Sequence, residues 1–85
     1  MTERGRQFVA ELSPWEVRLL RIVCVTNMTY AQIAAKTKRT VGAVTMSAWR
    51  MYQKAELRSR SQLLVFALRN QLFEIRDIEF PLEME

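Results

Sequence analysis

The chain has 85 residues, of which 49% are apolar, and a net charge of +4, which suits one small domain with a thin core. It contains one cysteine, Cys24, and no histidine. A disulfide framework, most zinc sites and every serine–histidine catalytic arrangement are therefore excluded, and we expect a protein that is not an enzyme and has no metal or cofactor.

Basic and acidic residues are distributed unevenly. Residues 1–73 carry twelve of the thirteen Lys and Arg residues and four glutamates, whereas residues 74–85 carry five acidic residues and Arg76. A basic body predicts an anionic partner, with nucleic acid first. The sequence shows no apolar run of signal-peptide or membrane-spanning type, so we expect a cytoplasmic protein with no membrane partner.

Four segments begin with a hydroxyl residue that is typical of a helix N-cap. Three of them have Glu or Gln three positions later, which predicts a capping box: Ser13 with Glu16, Thr29 with Gln32, and Ser59 with Gln62. The fourth, Thr40, is followed by Ala43 instead. The sequence therefore predicts an all-α fold with four helices in residues 12–73, a flexible N-terminal segment at 1–11 and an acidic tail at 74–85.

The middle two helices have the proportions of a helix-turn-helix unit. A short helix over about 30–36 is followed by a basic turn at 36–39 and then by a longer helix after Thr40. In the longer helix, apolar residues recur at helical spacing and predict one buried stripe: Val44, Ala48, Met51, Tyr52 and Ala55. A short helix, a tight turn and a longer helix are typical of DNA-binding proteins.

The fourth helix is apolar around its whole circumference at residues 63–68. One stripe, with Leu64, Ala67 and Leu68, is expected to face its own domain, which leaves an apolar patch that indicates a protein interface. We predict a homodimer interface formed by Val65, Leu68 and Leu72. The alternative is that the tail folds back over this patch, as an edge strand or as an extended strap carrying Ile75, Ile78 and Phe80.

Four motifs stand out together, one at each predicted helix start: Leu12-Ser13-Pro14-x-Glu16, Thr29-x-x-x-Ile33-Ala34, Thr40-x-x-x-Val44 and Leu57-Arg58-Ser59-Arg60-Ser61-Gln62-Leu63. Over about residues 12–72 they resemble the LuxR/GerE-type helix-turn-helix domain of bacterial transcription regulators. The middle pair is also similar to the promoter-reading C-terminal domain of sigma factors.

The resemblance implies a dimer that pairs through its fourth helix and places two third helices in successive major grooves of double-stranded DNA. The base-facing residues would be Thr45, Met46, Trp49 and Gln53, with Gly42 on the same side. The phosphate contacts would come from Lys38, Arg39, Thr40, Arg50, Lys54, Arg58 and Arg60.

The start of the third helix departs from this family, whose members usually carry Lys, His or Arg there. Residues 41–48 have no charge, although Arg or Lys makes the commonest contact with guanine. Helical spacing places Trp49 on the outer face, and burial in the core is the alternative. A second hypothesis is therefore a co-regulator or anti-activator that binds another regulator or RNA polymerase and has lost sequence-specific readout.

Overall fold

The computed structural model describes residues 1–80, which form five α-helices and one turn of 3-10 helix. The helices are α1 (Glu3–Ala10), α2 (Pro14–Val25), α3 (Tyr30–Thr37), α4 (Val41–Lys54) and α5 (Arg60–Arg69), and the 3-10 turn is Ile75–Asp77. Residues 1–80 contain no strand. The all-α prediction is confirmed: the four helices predicted in residues 12–73 are α2 to α5, and α1 is a further helix in the segment 1–11.

The prediction of a flexible segment at 1–11 is wrong, because α1 is an ordered element of the domain. The Thr2 hydroxyl accepts a hydrogen bond from the Gly5 amide at 3.1 Å, and the Thr2 amide donates to the Asn70 carbonyl at 3.0 Å. Phe8 is 4% exposed and meets Phe66 edge to face, with 5.2 Å between ring centroids. These contacts attach α1 to α5, which explains why a mostly polar segment is held in place.

The predicted helix starts are confirmed. The hydroxyls of Ser13, Thr29, Thr40 and Ser59 each accept from the amide three positions later. The reciprocal half of the capping box forms at Ser13 and Thr29. The capping box predicted at Ser59 is wrong in this half, because the Gln62 side chain accepts from the Arg58 amide at 2.7 Å and not from the Ser59 amide.

Three helices end on a residue with left-handed backbone geometry. Each is closed by a pair of backbone hydrogen bonds as in the Schellman motif. The residues are Lys38, Glu56 and Gln71, with φ values of 58°, 59° and 60°. None of them is glycine, the residue that commonly marks such an end in a sequence.

The core lies where α2 packs on α4 and α5, and α3 packs on α4. Its fully buried side chains come from these four helices and include Leu19, Ile33, Val44, Met51 and Leu63. The inner face of α5 consists of Leu63, Phe66 and Ala67, whereas Leu64 and Leu68 are half-buried. The buried stripe of α5 is therefore shifted by about one residue from the stripe that was predicted to face the domain.

Residues 74–80 run along the body as a strap that includes the 3-10 turn, so the edge-strand alternative is wrong for this part of the tail. The Glu79 amide donates to the Val25 carbonyl at 2.7 Å. Ile78 and Phe80 are half-buried, but Ile75 is 66% exposed. The remainder of the predicted acidic tail, 81–85, lies outside the described residues.

Candidate functional site

The turn at 38–40 connects α3 to α4 and places one face of α4 in solvent. Val44, Ala48 and Met51 are completely buried on the inner side. Because these residues fix the rotation of α4, its opposite side faces outward. The structure places all four predicted base-facing residues there, each exposed: Thr45, Met46, Trp49 and Gln53.

The first three turns of this outer side carry large apolar side chains. Val41, Met46 and Trp49 are 48%, 47% and 52% exposed, respectively. Together with Thr45 they form what we call the apolar α4 face. The core alternative for Trp49 is therefore wrong, and this surface can bind a ligand only by contacts that are largely apolar.

A stacked arginine organises the turn that precedes α4. The Arg39 guanidinium carbon lies 3.7 Å from the centroid of the Trp15 ring, a cation–π contact that restricts a flexible side chain. The Trp15 indole Nε1 in turn donates to Ser47 Oγ of α4 at 3.0 Å. Sequence reasoning predicted Arg39 but missed Trp15 and Ser47, because their contact joins segments 32 residues apart.

Four of the predicted phosphate-binding cations are exposed around this face: Lys38, Arg39, Arg50 and Arg58. Within residues 1–80 none of them forms an ion pair. Arg58 shares a surface depression with Trp49 and Gln53, and the exposed Glu56 also lines it. The Thr40 side chain is exposed and already accepts the Ala43 amide. Lys38 and Arg39 precede the start of α4, Arg50 follows Met46 by one helical turn, and Arg58 follows the end of α4.

Lys54 was predicted to contact phosphate, and the structure shows it paired with a carboxylate and a backbone carbonyl. Its Nζ lies 2.8 Å from Glu16 Oε1 and 2.9 Å from the Glu11 carbonyl oxygen. Burial alone raises the pKa of the Glu16 carboxyl, but hydrogen bonds from Lys54 and Ser13 and the Lys54 charge hold it below its usual value. Lys54 is therefore committed to a buried carboxylate.

Arg60 was also predicted to contact phosphate, and it too has partners within the domain. Its guanidinium donates to the carbonyl oxygens of Val23, Thr26 and Met28, at 3.0, 2.9 and 2.5 Å. These carbonyls lie at the C-terminal end of α2 and in the following loop, where backbone acceptors have no helical partner. Arg60 therefore joins α5 to α2, and three of its five N–H donors are used in doing so.

Burial raises the pKa of two further groups near Arg60. It raises the pKa of the Cys24 thiol to about 12, so this cysteine stays protonated and unreactive at neutral pH. Burial and a hydrogen bond with the Tyr30 hydroxyl also raise the pKa of Tyr52. Both groups belong to the core and not to the exposed surface of α4.

The α3–α4 region is strongly basic. Residues 17–55 contain no Asp or Glu and seven Lys or Arg residues. Glu16 and Glu56, which flank this range, are the nearest acids in the sequence, and Glu16 is paired with Lys54. A surface with this balance attracts anions over distances of about 10 Å.

The predicted dimer surface on α5 is smaller than expected. Val65 is 48% exposed and Leu68 is half-buried. Leu72, however, is packed against α1, where its Cδ2 would lie 2.9 Å from a Cβ placed on Gly5. Leu72 is therefore removed from the predicted interface, and Val65 is its exposed apolar centre.

No family model, curated protein or solved structure matches this chain. In residues 1–80 no helix is long and apolar enough to cross a membrane. The same residues hold no group of three His, Cys, Asp or Glu side chains placed to bind a metal ion. The geometry and charge of α4 and its surroundings are therefore the basis for assigning a function.

Proposed function

We propose that this chain is a DNA-binding domain of the helix-turn-helix type that regulates transcription, as its resemblance to LuxR/GerE domains implies. One observation carries the proposal: an exposed face of α4 is bordered by four exposed cations, three of which (Lys38, Arg39 and Arg50) lie in the acid-free range 17–55. A 14-residue helix of about 10–12 Å diameter fits the major groove of B-form DNA.

In this complex α4 lies in the groove, and the cations hold the two phosphate backbones that border it. Lys38 and Arg39 flank the N-terminal end of α4, whose free amides also favour a phosphate. Arg50 and Arg58 lie toward its C-terminal end. Arg39 is held by Trp15 before binding, so less side-chain freedom is lost on contact.

A homodimer through α5, centred on Val65, completes the proposal. The domain measures 33 × 32 × 20 Å, which is similar to the rise of one DNA turn, about 34 Å. Two protomers side by side can therefore reach half-sites one turn apart. Each half-site would receive one α4.

The proposal is tested by comparing Arg58→Gln with Arg6→Gln in binding to duplex DNA. Both variants lose one positive charge, but Arg6 lies on α1, 3.5 Å from Glu3. We expect Arg58→Gln to reduce the slope of log K against log salt by about 1, and Arg6→Gln to leave it unchanged. Equal effects of the two variants would contradict the proposed surface.

The apolar α4 face favours a second candidate function, a co-regulator or anti-activator that contacts RNA polymerase or another regulator. Exposed apolar patches often mark protein interfaces, and residues 40–49 carry no charge. Measuring binding to duplex DNA in the absence of other proteins distinguishes the two candidate functions. The second one predicts no binding to duplex DNA even at low salt, but a shift of RNA polymerase bound to promoter DNA.

A further inference from the structure

From Val41 to Trp49, α4 has none of the Arg, Lys, Asn or Gln side chains that usually read bases. Val41, Met46 and Trp49 are each about half exposed, and no charged residue occurs between Arg39 and Arg50. Gly42 adds to this openness, because a Cβ placed on it would meet nothing within 4 Å. The N-terminal turns of α4 can therefore come close to a ligand and touch it with apolar groups.

The floor of the major groove offers few apolar partners. Each base pair presents hydrogen-bond donors and acceptors there, and thymine adds a methyl group at C5. A valine, methionine or tryptophan placed over donors and acceptors removes their water without replacing its hydrogen bonds, which is unfavourable. The same side chain placed over a methyl group gains contact and loses little.

We propose that the apolar α4 face reads the C5-methyl groups of pyrimidines in the major groove, so that A·T-rich half-sites are preferred. This inference rests on the proposed DNA-binding function. Thr45, Met46 and Trp49 supply the methyl contacts. Gln53 lies one turn beyond Trp49, and its amide suits the N6 and N7 atoms of an adenine.

The charge around this face decides in favour of DNA as its partner. The four exposed cations and the acid-free range 17–55 match a polyanion that lies on both sides of α4. An apolar protein surface would leave these cations without partners. The cations thus supply affinity, and the apolar face supplies the preference among base pairs.

Two duplexes that differ in one methyl group per base pair test this inference. The first is an alternating dA–dT duplex of about 20 base pairs, enough for two half-sites, and the second replaces every thymine by uracil. Backbone charge and base pairing are the same in both. We expect uracil to weaken binding by a factor of about 15 for each bound α4, since each lost methyl contact lowers affinity roughly fourfold and each helix makes about two of them.

A second pair of duplexes adds the methyl group to a different base. Both are alternating dG–dC duplexes, and in one of them every cytosine is 5-methylcytosine, which carries its methyl group at the equivalent C5 position. We expect the methylated duplex to bind several times more tightly. A uracil effect without this gain would point to altered DNA flexibility and would overturn the methyl contact.

Three variants locate the effect on α4. The double variant Met46→Ser with Trp49→Ser, which removes both large exposed contacts, is expected to remove most of the preference for thymine over uracil. Arg39→Gln is expected to weaken binding to both duplexes equally and to leave the preference for thymine unchanged. Ile75→Ser, which removes an exposed apolar side chain from the strap, is expected to change neither the affinity nor the preference.

The outcomes separate this inference from the function on which it rests. Salt-dependent binding with equal affinity for the thymine and uracil duplexes would overturn methyl reading and leave the DNA-binding proposal standing. Binding to none of the duplexes at low salt would overturn both. A thymine preference that survives in full when both Met46 and Trp49 are replaced by serine would assign the methyl contact to another surface and overturn the role of this face.

Discussion

Arg58 and Arg60 are two positions apart in the sequence, yet their surroundings give them different roles. Arg58 is exposed beside Trp49 and Gln53. Arg60 donates to three backbone carbonyls. A planar guanidinium makes three such bonds at fixed angles, and an ammonium group cannot copy them.

Arg60→Lys should therefore destabilise the domain, whereas Arg58→Lys should not. We expect the free energy of unfolding to fall by about 2 kcal/mol in the first variant, because buried carbonyls lose their donors. We expect a change within about 0.5 kcal/mol in the second. Urea unfolding of both variants measures this, and equal stabilities would show that the contacts of Arg60 contribute nothing.

Glu16 gives the domain a dependence on acidic pH. The pKa of its carboxyl is lower in the folded state than the usual 4.5, so its charge stabilises the fold above that pH. This contribution is lost as the pH falls through the lowered folded-state pKa, because the protonated carboxyl no longer attracts Lys54.

We expect Glu16→Gln to be less stable than the natural chain at pH 7 and to lose less stability on acidification. Thermal unfolding between pH 7 and pH 3 measures both effects. Glu3→Gln is the matched control, since the Glu3 side chain is 74% exposed. The same pH profile for Glu16→Gln and for the natural chain would exclude this role for Glu16.

At the level of the helix, starts were predictable and ends were not. A hydroxyl side chain that accepts an amide three residues later is a local feature, so Ser13, Thr29, Thr40 and Ser59 identified four N-termini. Three helix ends use Lys38, Glu56 and Gln71 in left-handed geometry. Lys, Glu and Gln do not mark a left-handed helix end in a sequence. The packing of the segment that follows each helix imposes this backbone geometry.

Helix α1 was missed for a related reason. Its N-cap, Thr2, was not distinctive, and its one buried large side chain, Phe8, gains its partner Phe66 only in the folded chain. The helix stands close to the end of α5 at Gly5. A Cβ there would lie 2.9 Å from Leu72 Cδ2 and 3.0 Å from the Asn70 carbonyl oxygen.

Gly5→Ala should therefore destabilise the domain, although alanine is the better helix former. Displacing α1 is expected to cost about 1–3 kcal/mol. Gly42→Ala is the control, since the space there is open, and we expect it to stabilise the domain by about 0.5–1 kcal/mol. Chemical denaturation of both variants measures the difference, and a more stable Gly5→Ala would mean that α1 is loosely attached.

For the whole molecule, the sequence located the candidate site but not the role of every residue in it. The buried stripe of α4 has helical spacing, so the orientation of Thr45, Met46, Trp49 and Gln53 could be predicted from it. The roles of Lys54 and Arg60 could not, because their partners Glu16 and Val23 lie 38 and 37 residues away. A basic residue type does not indicate which acceptor it will meet.

The same limit applies to the predicted dimer surface, where Leu72 packs against Gly5 and Val65 is exposed. We expect Val65→Glu to shift a homodimer to monomer with little loss of stability. Leu72→Glu is expected to unfold or loosen α1. Sedimentation measurements on both variants test this, and an unchanged dimer in Val65→Glu would place the interface elsewhere.

The central claim, that the α4 surface binds duplex DNA through its exposed cations, is tested most directly by a salt titration of the natural chain. Lys38, Arg39, Arg50 and Arg58 are four contacts per protomer. We predict a slope of log K against log salt of about −3.6 for one bound protomer and about −7 for a dimer. Binding that is absent at low salt, or a slope near zero, would contradict the claim.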